Sequence, residues 1–571
     1  MRPFSICLGL VLLAAAPAAF AQGKPAGSAA PSAKPADNKP DAAKPADKKP
    51  DAKPGDAKPA DKKPDVKPAD KKPDAKPGDA KPGDAKPADA KPADKKPDAK
   101  KPLLAMEVRK AKLDNGLRVV MSVDHTSPTV AVDVVYDVGG RNEERGRSGF
   151  AHLFEHMMFQ GSQNVARGEH FKLVTGHGGS LNGTTNEDRT NYFEMLPRSE
   201  LPLALWLEAD RMKTLAVTEF NFKNQRDVVK EEYRMRVENV PYIPAEIRMQ
   251  SMVFQGWWPY EHTAIGTMAD LDAAQLDWVK AFHDAYYAPN NAVLSIVGDF
   301  DPDEAMGLVR RFFGDAKPLA TIPKLDLGAL PAQTAPRDAT VEDVHAQLPG
   351  IILGWSIPAQ RTKDHYAIEI AARVLADGES SRLYRTLVRE RSLAVDLDFG
   401  TSDYRGPNDS VDSLFKLAKG VKAADAQRAI DQEIASLAAT GPTDAEMQKV
   451  RNRLESGFLL GLQSNYARAQ RLAEFELYWG DANLLAGELD RLLAITKDDV
   501  RKAVATWLTA ARRCRIEVKP QEEKQEKQAE KKLDKAADKP AGDKKDDKKP
   551  EPKKDDKKVE PKKDDKKEGK K

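Results

Sequence analysis

The sequence predicts an α+β protein made of two similarly laid-out halves between two low-complexity tails. Three observations carry this reading. Strand-like runs are mixed with long helical tracts without strict alternation, the same layout is read twice, and the two ends consist largely of Lys, Pro, Asp and Ala, and of Lys, Asp, Glu and Pro. At 571 residues the chain has room for two or more domains.

The N-terminus reads as a secretory signal peptide over residues 1–21. Arg2 precedes the apolar run FSICLGLVLLAAA, and Ala19-Phe20-Ala21 offers a small-x-small cleavage site, with cleavage expected after Ala21. The run is too short for a membrane span, and no later segment has about 20 unbroken apolar residues. The expected location is outside the cytoplasm, periplasmic or secreted. Cys7 leaves with the signal, so Cys514 is the single cysteine of the mature chain, expected as a buried thiol without a disulfide.

Residues 22–102 and 519–571 lack the apolar surface that offsets the entropy of ordering, and both are expected to be disordered. Proline every few residues favours extended chain. The overall charge of +3 divides into +7 and +5 on the tails, leaving about −10 on the body. Lys and Asp alternate closely in the tails, so their far field is weak, unlike a polycation that binds nucleic acid. The tails read as solvated spacers or as tethers to an anionic cell-envelope surface.

The body divides into 103–320 and 337–518, with a proline-rich hinge across 318–336. Lys112 and Leu113 enter a turn at Asp114-Asn115-Gly116, and Leu117 to Met121 leave it, which is a hairpin signal. A β-branched run, Thr129 to Tyr136, predicts a strand ending near Gly139-Gly140. A helical stretch containing HLFEHMMF follows, and the half closes with a strand at Ala292 to Gly298 and a helix after Asp301. The second half repeats the scheme, from a strand at Ile351 to Trp355, through a helix at Ala367 to Leu375, to a long helical tract after Asp444.

The chemistry-bearing motif is His152-Leu153-Phe154-Glu155-His156. On a helix, positions three and four apart share a face, so His152, Glu155 and His156 project together. Two imidazoles at i and i+4 can hold one zinc ion while the carboxylate beside them polarises a water. The neighbours Leu153, Phe154, Met157, Met158 and Phe159 are apolar, and polar groups on a helix suited to burial need a strong partner. A catalytic zinc needs a third protein ligand and an open position. The acidic helical stretch from Asn224 to Arg234 offers Glu231 and Glu232, between which helical spacing does not choose.

The chain resembles the pitrilysin and insulinase (M16) family, in particular its smaller bacterial and mitochondrial-processing-peptidase-like branch. The resemblance runs through GGRNEERGRSGFAHLFEHMMFQGS from Gly139 to Ser162, Gly178 to Thr185, Asn191-Tyr192 and Trp206 to Met212. It continues through Pro259-Tyr260 to Gly266 and Tyr286 to Asp299. It implies two homologous halves, each a mainly antiparallel sheet packed with helices, and one Zn2+ per chain. It implies Glu232, 76 residues beyond His156, as the third ligand, and Gln225 as an outer position where relatives have glutamate. Glu155 is implied as the general base of a zinc endopeptidase. The stretch Gly178 to Thr185 resembles the family's edge strand, so Asn182, Gly183 and Thr184 are implied to bind an extended polypeptide by strand addition.

The second half has no H-x-x-E-H. Matching Leu393-Ala394 to the family pattern puts Val388 and Val395 where relatives carry a substrate-gripping arginine and tyrosine; a register shift would restore Arg389 but no tyrosine. The resemblance therefore implies a zinc-bearing subunit of a heterodimer whose partner lacks zinc and supplies the arginine and tyrosine. The opposing reading is a non-enzymatic envelope scaffold, or a peptide-binding chaperone, retaining the fold.

Overall fold

The computed structural model describes residues 106–521, together with a two-residue strand, β1 (Leu8–Gly9). The rest of the expected signal peptide, the 22–102 segment and the tail after 521 lie outside the described residues.

The first half contributes β2 (Arg109–Lys112), β3 (Arg118–Val123), β4 (Thr129–Tyr136), β5 (Ser180–Thr185), β6 (Thr190–Pro197) and β7 (Ala292–Gly298). The second contributes β8 (Arg337–Asp343), β9 (Gly350–Pro358), β10 (Ala394–Thr401), β11 (Asn408–Leu417) and β12 (Cys514–Pro520). Among the described residues these form a seven-stranded sheet, β1-β5-β6-β4-β7-β3-β2, and a five-stranded sheet, β10-β11-β9-β12-β8. From β5 to β3 the first order reproduces the second. Each sheet is antiparallel except for one parallel pair, β3 with β7 and β8 with β12. The two halves therefore share one topology, as expected.

Local chemistry explains the elements. Gly116 takes φ 89° at the first turn, where an added Cβ would lie 2.6 Å from that of Asn290. Asn115 secures this turn by donating to the carbonyls of Phe313 and Ala316 at 2.7 and 3.0 Å. The central strand β4 is buried along seven of its eight residues, which suits its β-branched run. β12 runs two residues past the expected boundary at 518, because Lys519 and Pro520 still pair with Glu342 and Asp343 of β8. The 318–336 segment carries no regular element.

The helices used below are α1 (Phe150–Met157), α2 (Glu169–Gly176), α3 (Leu201–Thr214), α4 (Glu219–Tyr233), α5 (Ile243–Val253), α6 (Leu276–Tyr286), α7 (Pro302–Phe313), α8 (Lys363–Ala376), α9 (Ala423–Thr440), α10 (Asp444–Gly461), α11 (Asn465–Trp479) and α12 (Lys497–Trp507). The first sheet buries one face against α1, α3 and α7. Its other face, with Val120, Ala131, Val135, Val293 and Val297, is covered by Ala469, Leu472, Ala473 and Phe475 of α11 from the second half. Reciprocally, α5 of the first half lays Met249 and Val253 over Ile352, Ile516 and Val518 of the second sheet. Gly354 permits that approach, since a Cβ there would fall 2.7 Å from Met249 Sδ. Each half thus completes the other's core with one helix, and apolar burial ties the halves together. Cys514 is buried and unpaired, as expected, and burial raises its thiol to about 11.

Candidate metal centre

The centre is assembled from two helices. α1 is buried along its whole length, so His152, Glu155 and His156 lie in the core at 0, 0 and 2% exposure. Gly149, which precedes α1, has φ 91° and offers no capping side chain. The Glu143 carboxylate takes that role from outside, accepting from the backbone amides of Gly149 and Ala151 at 2.9 and 2.8 Å. His262 lies 3.1 Å from the same carboxylate. At the other end, the Tyr192 hydroxyl donates to the Phe154 carbonyl at 3.3 Å and fastens α1 to β6.

α4 brings in Glu232, which is 6% exposed, whereas Glu231 points to solvent and pairs with Arg234 at 2.9 Å. Nε2 of His156 lies 3.1 Å from Glu232 Oε2, Nε2 of His152 lies 3.7 Å from it, and the two imidazole nitrogens are 3.3 Å apart. Four-coordinate zinc with bonds of about 2.1 Å separates neighbouring donors by about 3.4 Å. The donor set therefore has the spacing, and the mix of two nitrogens and one carboxylate oxygen, that zinc takes.

The electrostatics favour a cation. Burial, followed by the neighbouring His156, pulls the His152 pKa down to about 3, leaving its nitrogen lone pair unprotonated. Burial opposes the charge on Glu232. The His156 hydrogen bond and the charges of His152, His156 and Arg236 nevertheless hold it at about 2. Burial raises Glu155 to about 8, against the Thr185 hydroxyl and the Arg189 charge. Both Glu155 oxygens and Nδ1 of His152 are buried without a well-formed hydrogen bond, the kind of deficit that an ion and its water would relieve.

Spacing on α4 could have revealed Arg236, four residues past Glu232. A five-residue π-helical turn, Arg234–Glu238, follows α4 and brings Arg236 Nε to 3.0 Å from Glu232 Oε1, leaving Oε2 toward the histidines. Arg236→Ala is expected to weaken zinc binding by about tenfold, read by competition with a chromogenic chelator. Glu143 caps α1 from only six residues upstream without a periodic signal, and His262 reaches it from 119 residues away, so neither was legible. Gln225 lies buried two turns before Glu232, but its amide donates to Asn224 at 2.8 Å.

The implied substrate strand β5 is the second strand of the first sheet, covered by β1 at the edge, which pairs with it antiparallel, Leu8 opposite Thr185 and Gly9 opposite Thr184. Asn182 is half-buried, while Gly183 and Thr184 are buried. The Thr184 hydroxyl is turned inward to Asn191, and its carbonyl accepts from Arg189 at 3.1 Å. Gly183 makes room for Glu155: a Cβ there would lie 2.9 Å from Glu155 Cγ and 3.2 Å from the Tyr192 ring. Gly183→Ala is expected to displace Glu155 and lower kcat/KM for a peptide about ten- to a hundredfold with metal content unchanged.

A second group with metal-ligand chemistry, His170, Glu194 and Glu208, surrounds an arginine. Arg211 donates through Nε to Glu208 at 2.9 Å and through Nη2 to Glu194 at 3.3 Å, with its guanidinium over the Phe159 and Tyr192 rings. The cation of that cluster is already supplied by the chain. In the second half, Val388 packs on the core, Val395 is 51% exposed, and Arg389 pairs with Glu379 at the surface.

Two sheets of one topology that exchange a helix, with a buried His-His-Glu set and a carboxylate beside it, define a two-domain protein with a candidate metal centre. Residues 118–254 match the insulinase (peptidase family M16) model, and residues 273–454 match the peptidase M16 inactive domain. This chain belongs to peptidase family M16. It is 31% identical over 420 residues to the zinc protease PqqE of Helicobacter pylori, covering 72% of this chain and 92% of that one. It is 22% identical to a mitochondrial-processing peptidase subunit beta of Lentinula edodes, over 69% of this chain and 86% of that one. A solved protease from Helicobacter pylori superposes with a TM-score of 0.69 at 29% identity, covering 73% of this chain and all of that one.

Proposed function

We propose that this protein is a zinc-dependent endopeptidase acting on short or unfolded polypeptides. The observation that carries the reading is the convergence of His152, His156 and Glu232, with Glu155 one residue before the second histidine. The names of relatives support it, since PqqE is called a zinc protease. A zinc ion held by the three residues supplies a water of lowered pKa and a Lewis acid for the scissile carbonyl. Glu155 takes the water's proton and returns it to the leaving amine. The edge of β5 accepts an extended peptide by strand addition, a mode supported by its antiparallel pairing with β1.

The protein is exported through its N-terminal leader; among the described residues no helix is long and apolar enough to cross a membrane. It acts as the zinc-bearing subunit of a heterodimer. This is supported by valines at 388 and 395, and by similarity to a peptidase called a subunit beta. The test is zinc content and cleavage of a random peptide mixture by the purified chain, with and without a relative that lacks H-x-x-E-H. Zinc-dependent cleavage is expected, and stimulation by the partner. Full activity of the isolated chain would remove the heterodimer, and absence of zinc would remove the enzyme.

A further inference from the structure

The second half contains a cavity of about 190 Å3, walled by α8 and α11, that the peptidase reading does not use. Four arginines line it, Arg361, Arg373, Arg405 and Arg471, against the three carboxylates of Glu369, Asp403 and Glu488. Each carboxylate is answered within the fold. Glu369 pairs with Arg373 at 2.9 Å, and Glu488 accepts from the Tyr366 hydroxyl at 2.5 Å and lies 3.5 Å from Arg361. Asp403 accepts from the Gln360 amide at 3.3 Å.

Arg405 is held by Gln360 and by Glu474, the latter at 3.4 Å. Arg471 is different. It is half-buried and makes no hydrogen bond or ion pair among the described residues. Its guanidinium keeps contact with water, so an anion entering the cavity can reach it.

Two further features converge on the same cavity. His365, 3% exposed, gives Nε2 to Asp409 at 2.8 Å while its buried Nδ1 has no partner. Burial works against a charge on His365, but the Asp409 hydrogen bond and charge raise its pKa, which makes Nδ1 a donor over a wider pH range. Arg361 is a non-glycine residue at φ 62°, and its guanidinium lies 5.2 and 5.0 Å over the Phe475 and Trp479 rings. A left-handed arginine held over two aromatic rings is a backbone outlier of the kind that marks binding sites.

We propose that this cavity is an anion site that takes a small oxyanion, a carboxylate or a phosphate, between Arg471 and Arg361, beside His365. Arg471 is the lining arginine without an ion pair among the described residues, and a single carboxylate, such as a peptide's C-terminus, matches it. The site is independent of the zinc donors, so its occupancy is measured without reference to cleavage.

Calorimetric titration of the full chain with N-acetylalanine, with its neutral amide and with inorganic phosphate separates the sources. Saturable binding of N-acetylalanine or of phosphate is expected, with none for the amide. Arg471→Gln is expected to lower that affinity about tenfold, and Arg471→Lys to retain part of it, at an unchanged unfolding temperature. Because a metal bound by His152, His156 and Glu232 also attracts anions, binding that is equal in wild type and Arg471→Gln overturns the proposal. So does absence of saturable binding for both anions, or equal binding of the amide.

Discussion

Replacing Glu155 by Gln is expected to reduce peptide cleavage by about 10^2- to 10^4-fold or more while leaving zinc content at the wild-type level. Gln is nearly isosteric, so the packing of residue 155 against Gly183 and the burial of α1 are preserved. What is lost is the ability to take up and return a proton. Glu155 stands apart from the His152, His156 and Glu232 donors, so the metal should stay. Metal analysis beside a fluorogenic peptide assay checks both halves of the statement. Near-wild-type cleavage by the variant would remove Glu155 as the base, and loss of zinc would make it a ligand.

Replacing Glu232 by Ala is expected to lower zinc affinity by more than about a hundredfold, beyond the effect of changing a residue that only supports a ligand. The loss removes the charged oxygen that both imidazoles face and the carboxylate that Arg236 pairs with at 3.0 Å. Zinc at a hundred times its dissociation constant stabilises the native state by about 2.7 kcal/mol. The wild-type unfolding temperature should therefore rise on adding zinc to chelator-treated protein, and that of the variant should not. Glu231→Ala is the matched control, because Glu231 is exposed and pairs only with surface Arg234 among the described residues. It should behave as wild type; the reverse pattern would move the ligand to position 231.

Much of this was legible in the chain itself. The turn at Asp114 to Gly116, the β-branched run of β4 and the strand at Ala292 to Gly298 carry local signals, and each forms where those signals put it. His152, Glu155 and His156 needed only the helical repeat to be placed on one face. Periodicity could not choose between Glu231 and Glu232, since both sit on α4 and the choice depends on which side of that helix meets α1. The capping of α1 by Glu143, and the donation from Arg189 to Thr184, join segments whose separation carries no periodic mark.

Sequence alone determined the α+β class, the doubled layout and the paired histidines, because these follow from short-range periodicity and side-chain type. Only the tertiary structure decided that Glu232 faces both imidazoles, and that α5 and α11 cross between the halves. It also left Arg471 without a partner among the described residues. Each of these depends on which distant faces bury against one another, and apolar burial is non-directional until the whole core is assembled.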